Sequence, residues 1–313
     1  MSLKTIRVFA PATVANVVCG YDVLGFAIDE PGDELQMTLT DGEPGITITK
    51  ITGDEGRLPL SPEKNTCAVS VHHYLKHIGR EDLSIEIELH KKMPIGSGLG
   101  SSSASTVAGL YAINQLLGEP LTPHELIPFA VLGEEAACGY GHADNVAPAI
   151  LGGFTLVRSY APLDVIKLPH PELYVALVYP EVDVPTRDAR EMIRNRITLK
   201  DAVVQWGNIA GLVSGLCLGD HDLIGRSMQD HLIEPTRSIL IPGFDEMKQI
   251  ALENGALGFG ISGSGPSVFS LVKTAQEAKQ IVDLLQNHLK TLGVNSFGYS
   301  TSVNNAGPKT LDL

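Results

Sequence analysis

Two periodicities alternate along the chain. In Ser84–Leu89 the apolar Ile85, Ile87 and Leu89 alternate with Ser84, Glu86 and Glu88, the mark of a strand with one buried face. Ile6–Ala10, Leu35–Thr40 and Ile46–Ile51 read as further strands, the last two flanking a turn at Asp41-Gly42-Glu43-Pro44-Gly45. A helix is predicted over 65–78 with Asn65 as its N-cap. A second covers 102–117, where Ala104, Val107, Ala108, Tyr111, Ala112 and Leu116 follow helical spacing. Thr122-Pro123-His124-Glu125 opens a third, running to about Gly139, with Thr122 as N-cap, Pro123 at the first helical position and Glu125 at the third. Phe154–Arg158 reads as a strand. The second half restarts with a strand, Leu173–Tyr179, followed by helices at about 186–194, 199–218, 220–232 and 244–254. Strands Leu257–Ile261 and Ser267–Val272 flank a second glycine-serine loop. Thr274 then caps a helix carrying Ala278, Ile281, Val282, Leu285 and Leu289, and strand Gly298–Val303 closes the series. Strands and helices mix without strict alternation, which predicts an α+β fold rather than a doubly wound sheet. The 313 residues suffice for two domains. The prolines near 160–172 place the expected boundary, giving domains 1–165 and 166–313.

Charge and composition narrow the function classes. The net charge of −13 argues against nucleic acid and against an anionic membrane surface as partner. It also means that an anionic ligand must be held by local dipoles, a metal or a few basic side chains. No segment approaches the ~20 apolar residues of a membrane span, and no signal-peptide pattern opens the chain. Cys19, Cys67, Cys138 and Cys217 lie far apart, with neither metal-ligand spacing nor a disulfide framework. They are expected to be buried or inert thiols, and the chain is expected in the cytoplasm.

The candidate chemistry concentrates in residues 93–106, MPIGSGLGSSSAST. A strand runs into this stretch, Pro94 ends it, and a helix follows. Gly96, Gly98 and Gly100 permit a tight turn and close approach to a ligand. A glycine-rich turn opening a helix aims free N–H groups and the positive dipole end at one point, which suits phosphate. Serine hydroxyls there can add hydrogen bonds or ligate Mg²⁺. A Walker A loop needs Gly-Lys-Ser/Thr, and no lysine lies between Lys92 and Lys167. A dinucleotide fingerprint fails because Ser101 stands in place of the third glycine.

Three segments together resemble the GHMP small-molecule kinases. PATVANVVCGYDVLG (11–25) is similar to the family's first motif, PIGSGLGSSSAS (94–105) to its ATP loop, and GISGSGP (260–266) to its third, a glycine-rich loop of the C-terminal domain. Further segments resemble the family members that phosphorylate homoserine: Gly133-Glu134 followed by His142-Ala143-Asp144-Asn145-Val146-Ala147-Pro148, then Val184-Pro185-Thr186-Arg187-Asp188-Ala189-Arg190, and Glu234-Pro235-Thr236-Arg237 with Ile241-Pro242-Gly243-Phe244. The resemblance implies an N-terminal domain like ribosomal protein S5 and a C-terminal ferredoxin-like α/β plait. It implies ATP and Mg²⁺, with L-homoserine as the small-molecule substrate and O-phospho-L-homoserine, used in threonine synthesis, as product. It also implies a homodimer. Other members acting on a sugar, mevalonate or an isoprenoid precursor are the alternative.

The resemblance further implies residue roles. The ATP loop, Pro94, Ile95, Gly96, Ser97, Gly98, Leu99, Gly100, Ser101 and Ser102, wraps the phosphates. Ser102 and Glu134 hold Mg²⁺, with Ser101 as the neighbouring alternative to Ser102. Asn16 and Asn145 contact the reacting hydroxyl end. Asp22 pairs with the substrate's amino group, Arg190 and Arg237 grip its carboxylate with Thr186 beside them, and Gly263 approaches through its backbone. The chemistry suits a zwitterion, because Arg can bind a carboxylate through two parallel hydrogen bonds. Asp144 is a rival general base, set against a structural carboxylate capping a turn. His142 reads as a structural histidine, Lys91 and Lys92 as exposed strand-end lysines, and Trp206 as core or interface packing. The family commonly has Gly or Pro near Val18 and Cys19, so this bulkier pair is expected to alter the turn before Gly20-Tyr21-Asp22.

Overall fold

A computed structural model describes residues 4–313 apart from 185, 194 and 195, and their side chains apart from 137, 138 and 186–188. The first half contains strands β1 (Lys4–Ala15), β2 (Leu24–Thr40), β3 (Gly45–Thr52), β4 (Ser84–His90), β5 (Phe154–Tyr160) and β6 (Leu163–Leu168). Helices α1 (Thr66–Ile78), α2 (Ser101–Leu116), α3 (Pro123–Cys138) and α4 (Ala143–Leu151) lie among them in sequence. The second half runs β7 (Tyr174–Pro180), α5 (Thr186–Glu191), α6 (Leu199–Leu218), α7 (His221–Ser227), α8 (Glu234–Arg237), α9 (Phe244–Glu253), β8 (Gly258–Ile261), β9 (Val268–Val272), α10 (Ala275–Thr291), β10 (Ser296–Ser302) and β11 (Lys309–Leu311).

The first sheet has the order β11-β1-β2-β4-β3, and β5 pairs with the start of β2 and carries β6. Its apolar face, with Val8, Phe26, Leu35, Met37, Ile85, Ile87 and Leu89, is buried under the helices. Helix α2 runs through this core with Ser103 to Leu110 all buried. The small side chains in that run let α1, α3 and α4 pack around it.

The second sheet has the antiparallel order β10-β7-β9-β8. The chain order β7, α9, β8, β9, α10, β10 is a split βαβ arrangement, the expected ferredoxin-like plait. Helices α9 and α10 cover one face through Phe244, Met247, Ile281, Leu285 and Leu289. The other face, with Val175, Leu177 and Leu271, joins the first core, where Phe269 meets Phe26 edge-on at 5.7 Å.

The structure departs from the sequence expectations in several places. The strands around 41–45 do not form a hairpin, because β4 lies between them and β3 pairs with it in parallel. The first motif begins inside β1, which continues through Ala15 with a register irregularity between Pro11 and Thr13. Residues 143–151 are a helix despite the internal Pro148. The expected boundary after residue 165 falls within β6, and both β6 and β11 belong to the first sheet. Lys91 is buried, although Lys92 is exposed as expected. Cys19 and Cys67 are buried, but Cys217 is exposed, and the side chain of Cys138 lies outside the described residues. Trp206 is 59% exposed, which excludes the core.

Candidate active site

The glycine loop joins β4 to α2 and forms one wall of a cleft of about 770 Å³. Gly96, Gly98 and Gly100 all take positive φ, of 75°, 80° and 65°. Two of them are also fixed by packing. A Cβ on Gly98 would lie 2.4 Å from the Ser262 carbonyl oxygen, and one on Gly100 would lie 2.1 Å from Thr13 Oγ1. Around Gly96 there is open space. The N-terminus of the 16-residue α2 therefore opens on the cleft, with its free N–H groups and positive dipole end. Ile95, Gly96, Ser97, Gly98, Gly100, Ser101 and Ser102 line the cleft. Pro94 accepts a hydrogen bond from Ser97 Oγ at 2.7 Å, and Leu99 is buried in the core with its carbonyl bound by the Thr13 N–H at 3.1 Å. These two residues brace the loop from behind.

Beneath the loop, Lys91 Nζ donates to Asp33 Oδ2, to Ser105 Oγ at 2.7 Å and to the Ser101 carbonyl at 2.6 Å. A buried ion pair, strand β2 and the first turn of α2 are thereby joined. Sequence reasoning missed this network because a strand-end lysine is normally solvated. Only its partner Asp33, distant in sequence, makes burial tolerable.

The second half supplies the opposite wall. Ser262 Oγ donates to the Gly98 carbonyl at 2.7 Å, and the Ser267 N–H donates to the Ser97 carbonyl at 3.2 Å. Gly263 is a junction. Its N–H donates to the Ala15 carbonyl at 3.2 Å, and its own carbonyl accepts from Asn16 Nδ2 at 2.7 Å and Arg237 Nη1 at 3.1 Å. All three glycine- or asparagine-bearing motifs therefore meet at one place.

The turn after β1 is strained. Asn16, Val17 and Val18 have φ of 72°, 37° and 61°, and Asp22 has φ of 57°. Two β-branched residues in this region are outliers that cost on the order of 1–3 kcal/mol each. The turn persists because its surroundings over-determine it. Asn16 Oδ1 accepts from the Asp22 N–H at 3.0 Å, the Tyr160 hydroxyl donates to the Asp22 carbonyl at 2.9 Å, and Val18 packs on Gly260. Gln205, on the buried side of α6, donates to the Cys19 carbonyl at 2.9 Å and to Asp230 Oδ1 at 3.0 Å. Asp230 in turn accepts backbone N–H groups of Leu232, Ile233 and Glu234 and so fixes the helix carrying Arg237.

Charged groups converge on this turn. Arg190 Nη2 donates to both Asp22 oxygens, at 3.0 and 3.2 Å, and its guanidinium lies 4.2 Å from the Tyr140 ring centroid. Arg237 is buried, donates through Nε to the Ala189 carbonyl at 3.1 Å, and lies 5.2 Å from the Tyr21 ring centroid. Burial pulls its pKa below the usual arginine value. Thr186 opens α5, and its side chain lies outside the described residues.

On the phosphate side, Glu134 is 1% exposed and accepts from Ser102 Oγ at 3.0 Å, whereas Glu135 is exposed. His142 Nδ1 lies 3.6 Å from Glu134 Oε2, and this carboxylate raises the imidazole pKa. Ser101 Oγ is buried without a partner. A buried carboxylate, an adjoining hydroxyl and an orphaned hydroxyl are oxygen donors that fit a hard cation such as Mg²⁺. Asn145 Oδ1 accepts from Thr13 Oγ1 at 2.8 Å. Asp144 beside it is buried and lines the cleft, with Oδ1 unpartnered. Burial, then the Asp22 charge, pushes its carboxyl up to about 7.

The expected residues Asn16, Asp22, Ser102, Glu134, Asn145, Arg190, Arg237 and Gly263 thus line one cleft. Sequence reasoning did not find Thr13, Tyr21, Tyr140, Tyr160 or Gln205. Each acts on the site through contacts that only the fold creates.

Comparison with known proteins agrees with this geometry. The family model for the GHMP kinases N terminal domain matches residues 65–153, and that for the GHMP kinases C terminal domain matches 212–291. The homoserine kinase of Chlorobium phaeobacteroides strain BS1 is 48% identical over 93% of each chain. That of Pyrococcus abyssi is 40% identical over 93% of this chain and 94% of its own. A crystal structure of homoserine kinase from Cytophaga hutchinsonii superposes with a TM-score of 0.96 at 56% identity, covering 98% of this chain and 97% of the other. The L. major mevalonate kinase, at 18% identity, shares the fold with a TM-score of 0.71. The chain belongs to the GHMP kinase family and groups there with the homoserine kinases.

Proposed function

We propose that this protein is an ATP-dependent homoserine kinase. It transfers the γ-phosphoryl group of ATP to the side-chain hydroxyl of L-homoserine, giving O-phospho-L-homoserine for threonine synthesis. The observation that carries the substrate reading is the Asp22–Arg190 pair in the cleft that also holds the glycine loop. An amino-acid zwitterion replaces that internal pair with one of its own. Its ammonium takes Asp22, and its carboxylate takes Arg190 and Arg237, with Thr186 beside them. A carboxylate without an ammonium group draws Arg190 away and leaves Asp22 uncompensated, and a neutral sugar offers neither charge a new partner.

The backbone of Gly96–Ser102 and the α2 N-terminus hold the ATP phosphates. Ser102 and Glu134 hold Mg²⁺, which neutralises phosphate charge when bound. Asn16 and Asn145 orient the hydroxyl of the substrate. Each is held in turn, Asn16 by Gly263 and Asp22, Asn145 by Thr13. Phosphoryl transfer has a loose transition state, so positioning and charge neutralisation carry most of the catalysis. Asp144, with its carboxyl pushed up to about 7 by burial, stays the rival general base, and a structural role in the first turn of α4 is the reading we favour. We place the enzyme in the cytoplasm as a homodimer. Cys19, Cys67 and Cys217 are free, as suits a reducing compartment, and no described helix is long and apolar enough to cross a membrane.

ADP release from ATP and Mg²⁺ in the presence of L-homoserine, beside L-serine, L-threonine, mevalonate and galactose, tests the reading. Turnover confined largely to homoserine is expected. Turnover with mevalonate or galactose in its place keeps the kinase and removes the zwitterion pocket.

A further inference from the structure

Gln205 is a polar residue on the core side of α6, 5% exposed, on the same side as Ala202, Leu212 and Leu216. Burial of an amide is tolerated only where its donors and acceptor find partners. Here all of them do. Nε2 donates to the Cys19 carbonyl at 2.9 Å and to Asp230 Oδ1 at 3.0 Å, and Oε1 accepts from the His231 N–H at 3.2 Å. These partners belong to the two segments that carry the substrate groups. Cys19 lies midway between Asn16 and Asp22, three residues from each. Asp230 accepts the N–H groups of Leu232, Ile233 and Glu234, which lead into α8 and Arg237. Arg237 Nε then donates to the Ala189 carbonyl, next to Arg190.

The same two segments also meet on the cleft side, at the Gly263 carbonyl that Asn16 Nδ2 and Arg237 Nη1 share. A small cavity of about 20 Å³ separates them, lined by Val18 and Tyr21 from the turn and by Asp230, Ile233 and Glu234 from the arm. Close packing therefore does not set their spacing by itself. A turn held only at Gly263 can pivot there, and a second strut behind it removes that freedom. We propose that Gln205 is this strut, a positioning residue that fixes the turn binding the hydroxyl and ammonium ends of homoserine against the arm binding its carboxylate. It lies outside the lining of the cleft and acts only through Cys19 and Asp230. This role rests on the zwitterion reading of the site. Its consequence is selectivity for chain length. Serine is one methylene shorter than homoserine, so a pocket whose two ends are fixed satisfies one end of serine and not both. The glycine loop is held separately, by Lys91 at the Ser101 carbonyl and by the Ser267 N–H at the Ser97 carbonyl.

Two variants test it. Gln205→Met keeps the length of the side chain and removes its hydrogen bonds. Gln205→Glu keeps the shape and the acceptor for His231 but removes the donors to Cys19 and Asp230, and it decides the matter where the first does not fold. Ile281→Val, buried in the second core, is the control for lost stability alone. Each protein is melted, and steady-state kinetics are measured with homoserine and ATP varied in turn and L-serine as competitor. In the Gln205 variants the KM for homoserine is expected to rise about tenfold, with the KM for ATP and the Ki of serine within about twofold of the wild type. Ile281→Val is expected to melt lower with both KM values unchanged. Gln205 variants that melt lower and keep the homoserine KM within about twofold of the wild type overturn the proposal and leave Gln205 a satisfied core residue, as do equal rises in both KM values. A wild type that turns over ATP with another acceptor and not with homoserine overturns the zwitterion reading and this role with it.

Discussion

Arg190→Ala isolates the substrate pocket from the phosphate site. In the structure Arg190 makes two hydrogen bonds to Asp22 and lies over Tyr140, with its side chain 28% exposed. In the proposed complex its guanidinium would turn onto the carboxylate of homoserine. A partly buried charge-assisted pair is worth about 2–3 kcal/mol. At about 1.4 kcal/mol per decade this corresponds to a roughly 30- to 150-fold loss of affinity. The partial exposure and the retained Arg237 place the expectation in the lower part of that range, about 30- to 60-fold. Steady-state kinetics with each substrate varied in turn reads the effect. The KM for homoserine is expected to rise by that factor, and the KM for ATP to stay within about twofold, because Gly96–Ser102 and Glu134 do not depend on Arg190. Equal rises in both constants would refute a carboxylate role and indicate general damage to the cleft. The melting temperature separates the cases further. Losing a partly exposed pair costs about 1 kcal/mol or less, a shift of a few degrees in a chain of this size.

Three further outcomes follow from the geometry. Glu134→Gln is expected to lower kcat by about 10²-fold or more and to raise the Mg²⁺ concentration needed for half-maximal turnover, and near-normal turnover would remove Glu134 from the site. Gly98→Ala places a Cβ 2.4 Å from the Ser262 carbonyl at φ +80°, whereas Gly96→Ala meets open space at φ +75°. Thermal melts should show the first far more destabilised than the second, which carries only the backbone cost of about 1 kcal/mol, and equal losses would contradict the packing between the two glycine loops. Asp144 has a folded-state pKa raised to about 7. Its stabilising contribution is therefore complete below its ordinary value and lost as pH rises through 7. Asp144→Asn should flatten the fall in melting temperature between pH 5 and pH 8 and melt above the wild type at pH 8, and parallel curves would contradict the assigned shift.

The sequence was most legible where local chemistry decides the outcome. Asn65 caps α1 through a hydrogen bond to the Cys67 N–H, and Glu125 accepts the Thr122 N–H at 2.8 Å, both as their residue types predict. The alternation in β4 and the helical spacing of α10 correspond to the faces that are buried. Pairing partners were not legible, because a turn sequence such as 41–45 does not reveal that a later strand enters between its neighbours. Residues 143–151 read as a motif rather than a helix, since the run is short and Pro148 interrupts it. The positive-φ bend at Val17 and Val18 is legible only indirectly, as the departure from the family pattern at Val18 and Cys19. Its cause, bracing by Gln205, Tyr160 and Gly260, is entirely tertiary. Lys91 shows the same limit, for its burial depends on Asp33, 58 residues away.

The central claim is a phosphoryl transfer to one oxygen of one amino acid. Phosphorus NMR of a mixture of the protein, ATP, Mg²⁺ and L-homoserine tests it directly. The account predicts a phosphomonoester resonance coupled to the side-chain methylene protons of homoserine, growing in step with ADP. Growth of inorganic phosphate alone, or of an acyl phosphate on the carboxylate, would contradict it.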